Sequence, residues 1–579
     1  RDLVRSAVTA FDFMLSEEDF GYKPRGLYYG LKAMNIWLHK DEPFESFKFK
    51  KYISIIREKA ENGLFEKLIE EKMLNNPTKV FVSLQPKEGM QAESDAEEKE
   101  RLEKYKNGLS EEEKENIVKE TKDLLEYQAA PDDLSVIPGL VLDDIEKKAG
   151  EIDGEEKNGV YYVPGETNGI VYAQLLFSAD HISENDYGYL GLLSDLIGKL
   201  DTQKLGYTDL PTQIDMYTGG ITSSCQAYVG NDGVTRRYLA VETKALSGNI
   251  NELLEITDQT VNKMLFDKTE SIRLIIKDRI SKLENQLTQN GHSAASTRAL
   301  SHINSAYAFK DASGGIGYFR FLLGIDANFS DGVVNKLKEI AGSVFASEKL
   351  TAGISCEEKD IDMASAIAGI FPEKSGKYTP DTAERKTFLS EGVITPGKVQ
   401  YVAKAADYGK AGYEYGGKLL VLKNIIDLEY LWNMVRVQGG AYGCGCSFLR
   451  SGSMYMYSYR DPNLSSTIEI YDKTSQFLKN FDADEKAMTG YIIGAINSLD
   501  RPLSKEQRLR TALARHINGI GREFLQKERD GVLSVTAEDI RNFADMLGAF
   551  SQSGDICVVG SEDNIMKEKD KFENVFPLK

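Results

Sequence analysis

The sequence predicts an α+β protein made of two related units and the tail of a third, joined by a helical hairpin. Three observations carry this. Short strand-like apolar runs alternate with longer tracts of helical periodicity. One block of strands, helix, glycine pair and strand occurs twice, with Gly219-Gly220 in the first copy and Gly439-Gly440 in the second. A segment crowded with Glu and Lys separates these copies from a helical N-terminal stretch. Repeats this long point to duplicated domains rather than a solenoid, whose periods are about 20–50 residues.

Residues 1–87 read as long helices and one closing strand, the C-terminal part of a domain whose beginning is absent. The tract FESFKFKKYISIIREKAENGLFEKLIEEKML (44–74) is helical, Asn75, Asn76 and Pro77 break it, and KVFVSLQP (79–86) is expected to be a strand. Residues 88–150 form the predicted hairpin linker. Opposite charges four apart support solvated helices. Asn107 and Gly108 interrupt them, and Ser110 with Glu113 is a capping box that starts the second arm. AAPDDLSVIPG closes the linker.

The first copy covers 151–380. VYYVPGETNGIVYAQLLF should give two strands around a turn, followed by helices and the strands TGGITSSCQAYV (218–229) and RRYLAVETKAL (236–246). In the tract after them, Ile272, Ile276, Ile280, Leu283 and Leu287 mark one face of a helix. The strand LTAGIS (350–355) follows. The second copy covers 381–579. FLSEGVITPGKVQYVAKAADYG again predicts two strands. KLLVLKNIIDLEYLWNMVRV is apolar nearly all round and is expected to be a buried helix. QGGAYGCGCSFL (438–449) and MYMYSYRDPN (454–463) are the next strands.

The chain has 579 residues, 41% hydrophobic and 28% charged, which fits several packed globular units. It lacks an apolar run of about 18 residues, so no membrane partner is expected. The net charge of −19 argues against nucleic acid, whose phosphates need clustered Lys and Arg. The opening RDLVRSAVTAFDFMLSEEDF reads as the middle of a domain, so an N-terminal part is expected to be missing. Five cysteines, Cys225, Cys356, Cys444, Cys446 and Cys557, form no disulfide framework and suggest a reducing, cytoplasmic compartment. Cys444 and Cys446 point to one side of a strand, where packing is the expected role.

No zinc site is expected in this chain. Of His39, His181, His292, His302 and His516, no two have the three- or four-residue spacing that places two imidazoles on one helical face. His181-Ile-Ser-Glu184 is followed by Asn185 where a second His would be needed. Gly314, Gly315 and Gly317 lack a preceding strand and read as a loop between helices. The chemically distinctive stretch is Arg436-Val-Gln-Gly-Gly-Ala-Tyr442-Gly, a helix end, a glycine pair and a strand start. Arg436 suits the negative end of the helix dipole, and Tyr442 suits a half-buried strand, so residue types alone leave structural and functional roles open.

RVQGGAYG followed by YSYRDPNL (457–464) resembles the C-terminal domain of the presequence-peptidase branch of the insulinase (pitrilysin) zinc metallopeptidases. KPRGL (23–27), WLHKDEPFE (37–45) and LNNPTKV (74–80) resemble that branch's second domain, and TGGI (218–221) its third. The resemblance implies four insulinase-type α+β domains whose halves close around a chamber for unstructured peptides. It implies zinc on an inverted His-x-x-Glu-His helix of a first domain, which this sequence lacks. Arg436 and Tyr442 match the family's Arg and Tyr that reach across the chamber, with Gly439, Gly440 and Ala441 expected beside the substrate. The expected partners are unstructured peptides and the missing N-terminal half of the same protein, and the chain alone is expected to be inactive. The alternative is a non-catalytic peptide-binding or scaffold subunit that pairs with a separate zinc-bearing chain.

Overall fold

The computed structural model describes residues 2–17, 23–85, 87, 89–129, 139–381 and 389–579. Arg1–Asn62 with Ile145–Lys579 form one compact unit and Gly63–Asp144 another.

The smaller unit is helical. Leu64–Leu68 continues into a wider-wound turn Ile69–Leu74, and Met90–Gly108 and Glu111–Ala129 are the two arms of the expected hairpin. The Ser110–Glu113 capping box is present: the Glu113 N–H donates to Ser110 Oγ at 3.2 Å, and the Ser110 N–H donates to Glu113 Oε2 at 2.8 Å. The closing segment expected at AAPDDLSVIPG lies mostly outside the described residues. The strand expected over 79–86 is not formed, since 79–85 have no regular structure. Val80, Phe81, Val82 and Leu84 are exposed. Their pattern suits a strand, but among the described residues no strand pairs with their backbone, and a ladder needs two members.

The larger unit holds two six-stranded sheets. The first contains β1 (Glu155–Lys157), β2 (Val160–Pro164), β3 (Ile170–Ser178), β4 (Ile221–Val229), β5 (Thr235–Leu246) and β6 (Leu350–Cys356), in the order β1-β2-β6-β3-β5-β4. The second contains β7 (Ser390–Thr395), β8 (Tyr401–Asp407), β9 (Gly443–Phe448), β10 (Ser453–Tyr459), β11 (Asp555–Ser561) and β12 (Asn574–Pro577), in the order β12-β7-β11-β8-β10-β9. Five strands correspond in order and direction. β2 and β6 are parallel, as are β7 and β11, and the remaining core pairings are antiparallel. The two glycine pairs precede equivalent edge strands, β4 and β9.

The expected strand neighbours also differ from those observed. β2 and β3 are not neighbours around a turn, because β6 inserts between them, and β11 likewise separates β7 from β8. The connection at 165–169 therefore spans two inter-strand spacings of about 4.8 Å each. The inserted strand covers both ladders, which is why β2 and β3 are buried along nearly their whole length.

Helices pack on both sheets. The predicted face of Thr269–Gln289 is buried as Ile272, Ile276, Ile280, Leu283 and Leu287. These residues join one continuous apolar cluster with β3, β5 and β6 on one side and β7, β8 and β11 on the other. The opposite face of the first sheet is covered by Phe13, from the helix Asp2–Glu17, and by Leu509, Ala512 and Leu513, from the helix Lys505–Ile517. The second sheet is thus positioned with β9 at its edge, and β9 opens directly after the Gly-Gly turn.

Candidate functional site

The helix leading to this turn begins as Lys418–Ile425 and continues, without a break, as a wider winding over Ile426–Gln438. Its buried face is Leu419, Val421, Leu422, Ile425, Ile426, Tyr430, Leu431 and Val435. The expectation that it is buried all round is incorrect. Leu428, Trp432 and Val437 are 56%, 44% and 65% exposed and lie on the outward side with Arg436. Residues four apart share a helical face, so Leu428, Trp432 and Arg436 form one outward stripe. Wide windings of this kind are rare and concentrate at functional sites.

The helix end is built by its glycines. The Gly440 N–H donates to the Arg436 carbonyl at 2.9 Å, and the Ala441 N–H donates to the Val435 carbonyl at 3.1 Å. Each bond spans one residue more than in an ordinary Schellman end, as the wider winding requires. Gly440 takes φ +80° to close it. A Cβ on Gly439 would lie 2.5 Å from the Val435 carbonyl oxygen, so this position also requires glycine.

The second motif braces the first. Asn463 Nδ2 donates to the Gly439 carbonyl at 2.6 Å. Asp461 holds Asn463 through its backbone N–H at 2.9 Å and accepts from Thr467 Oγ1 at 2.7 Å. The Tyr442 N–H donates to the Tyr459 carbonyl at 3.0 Å, and the two rings meet edge to face at 5.8 Å. Burial raises the pKa of Asp461, and the hydrogen bonds from Asn463 and Thr467 oppose that rise. RVQGGAYG and YRDPN thus form one structure although many residues separate them.

Two side chains are presented by this frame. The Arg436 guanidinium lies 3.7 Å from the centroid of the Trp432 ring and 5.9 Å from that of Tyr442. Tyr442 is 69% exposed. Among the described residues no carboxylate pairs with Arg436, and no hydrogen bond occupies the Tyr442 hydroxyl. The sequence reading therefore named two residues that do come together. It missed Trp432, whose position four residues before Arg436 was the available signal, and Asn463, which acts through the turn. The three residues expected beside the substrate fare differently. The N–H groups of Gly439, Gly440 and Ala441 all bond within the helix end, and Ala441 is buried. They set the spacing of Arg436 and Tyr442 and offer no free donor of their own.

The nearby cysteines are thiols held by packing. Burial pushes Cys444 up to about 12, and Cys446 also rises well above its ordinary value for the same reason. All five cysteines are unpaired. His181-x-x-Glu184 precedes the helix Tyr187–Leu196, and Gly315 lies between Ser305–Gly314 and Ile316–Ala327. Among the described residues no three His, Cys, Asp or Glu side chains are arranged to hold a metal ion. No helix among them is long and apolar enough to cross a membrane.

Comparison with known proteins agrees with this architecture. Residues 84–325 match the family described as associated with the M16 peptidases of subfamily C, and residues 390–562 match the PreP C-terminal domain. The chain is 34% identical to Protein HypA of Clostridium perfringens, covering 99% of this chain and 60% of that protein. It is 28% identical to Presequence protease 1, chloroplastic/mitochondrial, of Arabidopsis thaliana, covering 100% of this chain and 55% of that protein. The chain therefore spans a little over half the length of these curated relatives. A crystal structure described as the peptidase M16 inactive domain from Pseudomonas fluorescens superposes over 71% of this chain and 98% of its own, with TM-score 0.51 and 13% identity, a likeness of fold. With both family matches in chain order and presequence proteases aligned along nearly its whole length, the chain belongs to the presequence-protease-like branch of the M16 peptidases and corresponds to their C-terminal portion.

Proposed function

We propose that this chain is the C-terminal half of a zinc-dependent endopeptidase that degrades short unstructured peptides in a closed chamber, with Arg436 and Tyr442 as its transition-state-stabilising wall. The observation that carries the reading is the pair itself: a guanidinium and a phenol side by side on a braced, exposed helix end, with no carboxylate on either among the described residues. Attack on a peptide carbonyl places negative charge on its oxygen. A phenol O–H or guanidinium N–H aimed at that oxygen stabilises the charge as it develops. Trp432 fixes the direction of the guanidinium, and the exposed apolar stripe beside it suits side chains of an extended peptide.

Among the described residues no side chains are arranged to hold a metal ion, and the proposal assigns the zinc and the water-activating base to the N-terminal half. Donors on one half and the metal on the other would couple chamber closure to chemistry. The domain division at 1–87, 88–150, 151–380 and 381–579 belongs to the same proposal, with the N-terminal half as partner and neither nucleic acid nor membrane as one. Five unpaired cysteines favour a reducing, cytoplasmic setting.

The test compares the full-length protein with residues 1–579 on a quenched fluorescent, unstructured peptide, with zinc measured in both. The proposal expects cleavage and about one zinc per full-length chain, as for a catalytic three-ligand site. It expects neither from the shorter chain. Stoichiometric zinc or chelator-sensitive cleavage in residues 1–579 alone would overturn it.

A further inference from the structure

We propose that this chain carries a second site, apart from Arg436 and Tyr442, that binds a small dianion of the phosphate-monoester or dicarboxylate class through Arg501 and Arg515. The site is a cavity of about 570 Å³ bounded by residues 498–503, the helices Lys505–Ile517 and Arg522–Leu533, Tyr228 of β4 and the incoming chain at Ala149–Gly150.

Five arginines wall this cavity in a protein whose net charge is −19. Three are neutralised. Arg529 holds Asp500 with both terminal nitrogens, at 2.7 and 2.9 Å. Arg450 lies 3.0 Å from Glu528, and Arg510 pairs with Glu242 at 2.7 Å and with Glu506. Among the described residues no carboxylate pairs with Arg501 or Arg515. Arg515 is half-buried, and its pKa is lowered by burial first and then by the charge of Arg450, with the nearby Glu528, already held by Arg450, acting the other way. A guanidinium withdrawn from water without a counter-ion is costly, and buried charges are as a rule paired.

Two residual charges match a doubly charged ligand. The guanidinium fork reads carboxylate and phosphate oxygens in pairs. Leu503 and Leu525 add apolar wall for an organic body, and the volume suits a metabolite-sized molecule. The walls are held in place without a ligand. Buried Arg529 donates from Nε to the Glu146 carbonyl at 2.7 Å, and Gln526 accepts from the Ala149 N–H at 2.9 Å and donates to the Lys147 carbonyl at 2.9 Å. Arg450 follows the end of β9 opposite to the one that Tyr442 precedes, so the two sites are a strand's length apart.

The test is calorimetric titration of residues 1–579 at low ionic strength with inorganic phosphate and, separately, with succinate. The site predicts saturable binding of at least one probe at one per chain. Arg515→Gln and Arg501→Gln should each weaken it by about tenfold or more, while the remote surface change Lys204→Gln leaves it unchanged. Binding of phosphate alone assigns a phosphorylated ligand, and binding of succinate alone a dicarboxylate. Arg515→Gln should melt no lower than wild type, since it removes an unpaired, half-buried charge. Arg501, in an exposed loop, provides a second variant with no folding role. No saturable binding of either probe, or binding untouched by both glutamine variants, would overturn the proposal.

Discussion

Arg436 is held by an aromatic face rather than by an acid. Its guanidinium rests on Trp432, and no carboxylate among the described residues competes for it, so the charge stays available to an incoming oxygen. Trp432→Ala should therefore lower peptide-cleaving kcat in the full-length enzyme by roughly fivefold, the order of one exposed cation–π contact. The fold should survive, because Trp432 is nearly half exposed. Equal kcat in the variant would show that the stacking does no positioning. Gly439 is bound by a harder constraint, a carbonyl oxygen 2.5 Å from where a Cβ would sit. Gly439→Ala should cost about 1–3 kcal/mol in chemical denaturation, as overpacking does. The placement of Arg436 beside Tyr442 was legible because a helix end, a glycine pair and a strand start stand together in the sequence. Trp432 was passed over, since an aromatic in an apolar tract reads as core, although its place four residues before Arg436 was a signal. Asn463 was not legible, since its role passes through a backbone carbonyl distant in sequence.

The elements divide in the same way. The buried stripe of Thr269–Gln289 and the hairpin's capping box follow from spacing alone, and both are present. The order of strands does not follow from spacing. β6 and β11 come from far along the chain to separate strands that are adjacent in sequence. The helix Gly291–Ser301 seats on the second sheet through a buried ionic cluster that no local pattern announces. Arg298 holds Asp311 at 2.7 Å and forks onto Glu391 of β7, and His302 lies 3.6 Å from Glu391. Burial works against the charge of Glu391, but His302, Arg298 and Asn574 overcome it and hold its pKa at about 2. A depressed folded-state value contributes stability that is complete above the unfolded value near 4.5 and is lost as pH falls towards 2. The full shift corresponds to about 3 kcal/mol. Urea denaturation from pH 6 down to pH 2.5 should show a steeper loss in wild type than in Glu391→Gln below pH 4.5. Parallel curves would mean that this carboxylate is not depressed.

The molecule as a whole places two sheets of matching strand order on one continuous helical core, with β9 and its glycine turn at an edge. The edge position leaves Tyr442 outside the ladder's packed interior, which is why a strand-start tyrosine can remain 69% exposed. In the proposed function that exposure is what leaves the Tyr442 hydroxyl open to a substrate carbonyl. The central claim is that Tyr442 donates to the carbonyl oxygen in the transition state. Its most direct test is single-turnover cleavage of an unstructured peptide by the full-length protein carrying Tyr442→Phe, with zinc content measured alongside. Loss of one oxyanion donor should slow the chemical step by roughly 10²–10³ with zinc content unchanged. Cleavage at the wild-type rate would contradict the account, leaving Tyr442 as surface and this face of the chain without a part in the chemistry.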